Sequence, residues 1–180
     1  MQNNTAIRPF ENHAPKIDPS AYVDPKCSII GQVTIGKDSS IWPFASLRGD
    51  MHWVSIGEGS SIQDGSVIHV THAGQYNPKG FPTRIGNFVT VGHKVTLHGC
   101  TVQDLCVIGM DSVILDGAVI ESNVLLAAGS LVLPNKVLES GYLWAGRPAE
   151  KKRALTKEEI AFFEYSAKNY IKLKDQYLLG

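Results

Sequence analysis

Two of the chain's six histidines lie five residues apart in "VGHKVTLHGC", at His93 and His98, and a third, His69, precedes them in "SVIH". Imidazole titrates near neutral pH and is the commonest metal ligand among side chains. Three of them therefore suggest proton transfer or metal binding, if they meet. Local spacing does not make them meet. Side chains share a helix face at separations of three and four and a strand face at even separations. Five satisfies neither, so any joint chemistry must come from elements that repeat on a longer period.

Such a period runs through the chain. Aliphatic residues recur every six positions at Val23, Ile29, Ile35, Ile41 and Leu47, then at Ile56, Ile62 and Ile68. The beat skips a segment, returns at Ile85, Val91 and Leu97, and takes one five-residue step to Val102. Ile108, Ile114, Ile120, Leu126 and Val132 then keep strict time. Gly often follows the aliphatic residue, as at Gly36, Gly57, Gly86, Gly92 and Gly109. Small residues such as Ser39, Ala45, Ser60, Ser66, Ser112, Ala118 and Ser130 often stand four places after it. This hexapeptide signature predicts an all-β fold, a parallel β-helix. Three hexads make one triangular coil, the aliphatic residue points inward, and Gly or a small residue eases each corner. A β-sandwich would instead alternate with period two and looser spacing.

The organisation expected is one domain over residues 1–180: an N-terminal segment at 1–22, the β-helix at 23–145 with a loop at 71–84, and a C-terminal helix at 155–178. Thr156 and Glu159 form a capping box. Ile160, Phe163, Ala167, Tyr170 and Tyr177 follow a helical stripe. The helix is expected to pack along the solenoid or against a neighbouring subunit.

Counting three faces in order places Leu47, Ile68 and Leu97 on one face of successive coils, provided the 71–84 loop uses up no face. His69 and His98 then point outward side by side, about one strand spacing apart, which suits two ligands of one metal ion. His93 falls on another face. If three prisms pack around a threefold axis, it could complete the set begun by His69 and His98 of the next subunit, giving three His ligands with one open position. The alternative is that the histidines simply hydrogen-bond across a subunit contact. Arg48 and Asp50 are expected to form an ion pair. Gln63 could hydrogen-bond a hydroxide, and Asp64 could orient a ligand, accept a proton or merely shape a corner. His13 and His52 have no partners in register and are expected at the surface.

Lys and Arg number 17, Asp and Glu 17, for a formal net charge of zero. That argues against nucleic acid or an anionic membrane as partner. No apolar run is long enough to span a membrane, and the opening "MQNNTAIRPFENHAPK" has no apolar signal core. Cys27, Cys100 and Cys106 lack paired metal spacing and are expected as reduced, partly buried thiols in the cytoplasm.

The sequence resembles the γ-class carbonic anhydrase family in "RGD" at Arg48 to Asp50, "IQDGSVIH" at Ile62 to His69, "GHKVTLHGC" at Gly92 to Cys100, and "AGRPAEKKRALTKEE" with the helix after it. The resemblance covers nearly the whole chain. It implies a left-handed β-helix, an exception to the right-handed crossover rule. It also implies a homotrimer with metal sites at subunit interfaces, His69 and His98 coming from one chain and His93 from its neighbour. Arg48 and Asp50 carry over as an interface ion pair, Gln63 and Asp64 as active-site residues. A tyrosine from the C-terminal helix reaches the site in some members, and Tyr165 and Tyr170 are the candidates here. The sequence departs from the family pattern in two places: Met51 stands where a glutamate is found, and "VTHAGQYNPKGFPTR" lacks the carboxylate of an acidic proton-shuttling loop. His72 either relays protons instead or is a plain loop residue.

The resemblance implies reversible hydration of CO2 to bicarbonate by hydroxide on Zn2+, with Fe2+ or Co2+ possible. Two other functions fit a hexapeptide β-helix. One is an acyltransferase with an acyl-CoA donor, which would need only one His as base. The other is a metal-stabilised scaffold with weak or no catalysis.

Overall fold

Three ladders of aliphatic side chains, each residue stacked on its counterpart one coil away, organise the molecule. A computed structural model describes residues 6–179; the first five residues of the expected N-terminal segment, and residue 180, lie outside the described residues. On the first face Ile29, Leu47, Ile68, Leu97, Ile114 and Val132 are paired in register. The second carries Ile35, Ile56, Ile85, Val102 and Ile120. The third carries Val23, Ile41, Ile62, Val91, Ile108 and Leu126. Ladder pairing between coils is parallel throughout, and the chain is a left-handed parallel β-helix with a single C-terminal α-helix. The stacks extend past the beats read from the sequence. Ile7 and Ile17 pair with Ile29 and Ile35 at one end, and Leu138 and Trp144 with Ile120 and Leu126 at the other.

The left-handed residue of most corners stands three places after the inward one. It is Gly at several corners, among them Gly59, Gly65, Gly117 and Gly129, in keeping with the expectation that Gly eases them. Non-glycine residues occupy many of these positions, among them Asp38, Phe44, Lys94, Leu105 and Asp111, with φ between 53° and 62°. Such a conformation is costly for L-residues. It is held by hydrogen bonds from the corner amide to the preceding coil, as from Lys94 to Asp64 O at 2.9 Å and from Leu105 to Asn87 O at 2.9 Å. The glycine directly after the beat answers a different need, close approach of coils. A Cβ at Gly57 would lie 2.5 Å from Gly86 O, and one at Gly36 2.7 Å from the Gly57 carbonyl carbon.

The small residues four places after the beat close the corner from inside. The buried Ser60 hydroxyl donates to Gly86 O at 2.8 Å and accepts from Val89 N at 3.0 Å. Ser66 repeats the arrangement with Gly92 O and Val95 N. Cys27 and Cys106 stand at the same position, their thiols donating to Trp42 O at 2.9 Å and Glu121 O at 3.1 Å. All three cysteines are free and fully buried rather than partly so. Burial pushes Cys27 up to about 11 and Cys100 and Cys106 up to about 12, so the thiols stay protonated.

The helix Lys157–Leu179 lies on the third face of its own chain. Thr156 and Glu159 form the capping box, with Thr156 N donating to Glu159 Oε2 at 2.9 Å and Glu159 N to Thr156 Oγ1 at 3.2 Å. Phe163 and Ala167 are buried, Tyr177 packs on Tyr22 and Trp42, and the buried Lys174 reaches Asp38 Oδ1 at 3.0 Å. Ile160, expected on the inward stripe, is exposed instead. No helix among the described residues is long and apolar enough to cross a membrane.

Two outcomes follow from these contacts. Ser60→Ala removes a donor and an acceptor from buried backbone partners and should cost about 1–3 kcal/mol in urea unfolding. Arg153 pairs with Glu159 through two bonds of 2.7 and 2.8 Å, and with Thr156 it holds that carboxyl at about 2, below its ordinary 4.5. The depressed value makes this contribution fully present above about 4.5 and lost as pH falls towards 2. Arg153→Ala should move the Glu159 titration, followed by carboxyl NMR, back towards 4.5.

Candidate metal centre

The breaks in the hexapeptide rhythm fall at one corner, between the first and second faces. Leu47 to Ile56 spans nine positions, Ile68 to Ile85 seventeen, and Leu97 to Val102 five, where six is the rule. Strand Ser46–Ile56 runs round this corner with its register against the previous coil shifted between Gly31 and Val33. The extra residues swing Asp50, His52 and Trp53 outward. One coil later the chain leaves strand Val67–His69 on a long excursion, closed at its base where Thr71 and Phe81 exchange main-chain hydrogen bonds of 2.9 and 2.8 Å. His52 buttresses it: Nδ1 accepts from Trp53 N at 2.9 Å and Nε2 meets Lys79 O at 3.3 Å. His52 is thus half-buried and partnered at the surface, whereas His13 is exposed.

His69 and His98 stand side by side in register on the first face. Their ring centroids are 5.2 Å apart, and His69 Nδ1 faces His98 Nε2 at 3.2 Å. The far nitrogen of each ring is held by a carboxylate: His69 Nε2 by Asp50 Oδ1 at 3.0 Å, His98 Nδ1 by Asp116 Oδ1 at 2.7 Å. A carboxylate accepts a proton-bearing nitrogen, so each far nitrogen carries the hydrogen and each facing nitrogen presents a lone pair. Arg48 forms an ion pair with Asp50 Oδ2. Burial first, then the Arg48 charge, lowers the His69 pKa against the pull of Asp50, which favours the neutral ring. Burial opposes ionisation of Asp50, but the hydrogen bonds from His69 and Arg48 prevail and lower its pKa.

This pair fits a metal ion. Two lone pairs aimed at each other repel unless a proton or cation lies between them. Two nitrogens bound to one ion at ~2.0–2.1 Å in tetrahedral geometry are ~3.3–3.4 Å apart, close to the 3.2 Å separation found.

His93 sits at a different corner, after the third face, half-exposed, with Nδ1 3.0 Å from Asp64 Oδ2. Among the described residues of a single chain, no three His, Cys, Asp or Glu gather as a metal-holding group. Gln63 is buried beside Tyr170, whose hydroxyl is raised by burial, lowered by a hydrogen bond with Gln63 and raised further by the Asp64 charge. Of the two tyrosines considered, Tyr165 is 66% exposed and packs on Phe162 instead. His72 is exposed on the excursion. The sequence reading missed Asp116 and Thr71, whose hydroxyl donates to Asp116 Oδ2 at 2.7 Å. Carrying the face count one coil further would have found Asp116, two places after Ile114, which pairs with Leu97.

No protein-family model matches the chain. Protein YrdA of Escherichia coli is 50% identical over 172 residues, covering 96% of this chain and 94% of that protein. Mitochondrial gamma carbonic anhydrase 1 of Arabidopsis thaliana is 47% identical over 172 residues, 96% of this chain and 62% of that one. A carbonic anhydrase of Geobacillus kaustophilus is 43% identical over 171 residues, 95% and 90% of the two. Among solved structures, a hexapeptide transferase family protein from Anaplasma phagocytophilum aligns with a TM-score of 0.88 at 42% identity, covering 95% of this chain and 97% of that one. A putative acetyltransferase from Bacillus cereus aligns at 0.89 and 36%, covering 95% of each.

Gly99 tests how tightly the corner is built. Its φ is +57°, and an added Cβ would lie 2.4 Å from Asp116 Oδ1 and 2.7 Å from Phe81 Cβ. At Gly65 φ is +70° and the nearest atom is Lys94 Cγ at 3.6 Å. Gly65→Ala should cost about 1–2 kcal/mol, the left-handed penalty alone. Gly99→Ala should cost measurably more in the same denaturation experiment, because Asp116 must also move.

Proposed function

Because the chain belongs to the γ-class carbonic anhydrase-like family of hexapeptide-repeat proteins, we propose that it is a metal-dependent enzyme interconverting CO2 and bicarbonate. In this reading His69 and His98 of one chain, with His93 of a neighbouring chain, hold a divalent cation at the interfaces of a homotrimer. Zn2+ is the ion proposed, with Fe2+ or Co2+ as alternatives. The observation that carries it is the pair of facing imidazole nitrogens at 3.2 Å, each ring backed by a carboxylate. Such a cation, when bound, lowers the pKa of water to ~7 and makes hydroxide available at neutral pH.

The chain's own residues have distinct tasks in this proposal. Asp50 and Asp116 fix the tautomers of His69 and His98, and Arg48 holds Asp50 ionised and in place. Asp64 does for His93 what those carboxylates do for the other two, leaving the outer nitrogen free to face a neighbour. Gln63, backed by Tyr170, offers a buried amide for orienting the attacking oxygen. His72, exposed on the excursion, carries the released proton to solvent. Free, buried thiols suit a reducing compartment such as the cytoplasm.

The transferase names of two structural relatives keep an acyl-CoA-dependent reaction as a second reading. It needs one histidine base and gives no role to three histidines each held by a carboxylate.

Untagged protein, purified reduced, should carry about one Zn2+, Fe2+ or Co2+ per chain by elemental analysis and run as a trimer by light scattering. His93→Ala should lose the metal although His69 and His98 remain, and CO2 hydration should fall to the buffer rate. Fully loaded wild type with no rate above buffer would leave a metal-stabilised scaffold. Metal-free wild type that binds coenzyme A would favour the acyltransferase.

A further inference from the structure

Asp116 joins two parts of the chain that the repeat alone would leave independent. Oδ1 accepts from His98 Nδ1 at 2.7 Å, and Oδ2 accepts from the Thr71 hydroxyl at 2.7 Å. Thr71 is the first residue of the excursion base, fixed by its two main-chain bonds to Phe81. Phe81 in turn covers the corner on which Asp116 stands: added Cβ atoms at Gly99 and Gly117 would meet it at 2.7 and 3.1 Å. The Gly117 amide donates to Gly99 O at 2.7 Å, locking the coil of Asp116 to the coil of His98.

The two supporting carboxylates are not equivalent. Asp50 is shared among His69, Arg48 and the Met51 amide. Among the described residues, Asp116 forms an ion pair with His98 and with no lysine or arginine. Its second oxygen is held by Thr71.

We infer that Asp116 is a positioning residue which, steered by Thr71, fixes His98 in the tautomer whose Nε2 faces His69, and so couples the base of the 71–82 excursion to cation affinity. This rests on the metal reading given above. A carboxylate behind a ligating histidine commonly accounts for 10–100-fold in metal affinity. Thr71→Val keeps the side-chain shape, removes the hydrogen bond and frees Asp116 to turn. Thr71→Ser restores the hydroxyl.

The experiment has two arms on the full chain. In the first, metal-free wild type, Asp116→Asn, Asp116→Ala and Thr71→Val are labelled with 15N-histidine and the His98 tautomer is read by NMR. Wild type should show His98 protonated at Nδ1, with that population reduced in the variants. In the second, Zn2+ is titrated against a chromogenic chelator. Affinity should fall about 10–100-fold for Asp116→Ala, less for Asp116→Asn and Thr71→Val, and recover in Thr71→Ser. Far-UV circular dichroism screens out any variant that fails to fold; the near-isosteric Asp116→Asn and Thr71→Val keep the test open. An unchanged tautomer, or affinities within twofold of a wild type that does bind Zn2+, overturns the inference. If wild type takes up none of Zn2+, Fe2+ and Co2+, the metal reading falls, and the tautomer arm still decides whether Asp116 and Thr71 control His98.

Discussion

Everything in this protein depends on parallel coils stacking in register, so that each inward aliphatic residue lands on its counterpart and each strand bonds to the coils above and below. Within the coils the main-chain bonds and the apolar contacts both run from one coil to the next; an antiparallel pair, Tyr142–Ala145 with Glu150–Ala154, joins only at the C-terminal end. Register is therefore over-determined. A slip by one residue would turn isoleucines outward and corner residues inward. The buried serines and cysteines tighten this further by bonding corner carbonyls across coils, so the corners are fixed as firmly as the faces.

The regularity of this scaffold is broken mainly at one corner. Departures from six-residue spacing gather at one corner in successive coils, and a connected set of polar groups gathers there too: Arg48, Asp50, His69, His98, Asp116 and Thr71. Outward side chains on neighbouring coils stand about one strand spacing apart, a distance that suits ligand pairs and carboxylate–imidazole pairs. The repeat sets the separation; the long step after Leu47 supplies Asp50 to His69, and the regular hexad after Ile114 supplies Asp116 to His98. His93 lies away from this cluster with its own carboxylate, Asp64. Among the described residues of one chain the three histidines therefore do not converge.

The C-terminal helix serves the same end from another side. It covers the third face of its own chain, seals Trp42 and Thr90 from solvent and brings Tyr170 beside Gln63. The buried Lys174 holds it to Asp38, itself at a left-handed corner. Helix and corner geometry thus stabilise each other, and the amide of Gln63 is buried at their junction.

The sequence by itself determined the coil and the three faces, because a six-residue period of inward Val, Ile and Leu admits little else; the pairing of His69 with His98 also required that the 71–84 loop use up no face, which the structure supplies. It also announced the helix start through Thr156 and Glu159. It left the corner conformation illegible, since left-handed backbone falls on residues as different as Asp38, Phe44 and Leu105. There the conformation is imposed by hydrogen bonds to the neighbouring coil and not by residue type. Only the tertiary structure chose Tyr170 over Tyr165 as the neighbour of Gln63, gave His52 its place beneath the excursion, and brought Thr71 and Asp116 to His98. Those choices depend on the path of an irregular segment and on which way side chains turn once packed. Distance along the chain, 45 residues between Thr71 and Asp116, carries no trace of them.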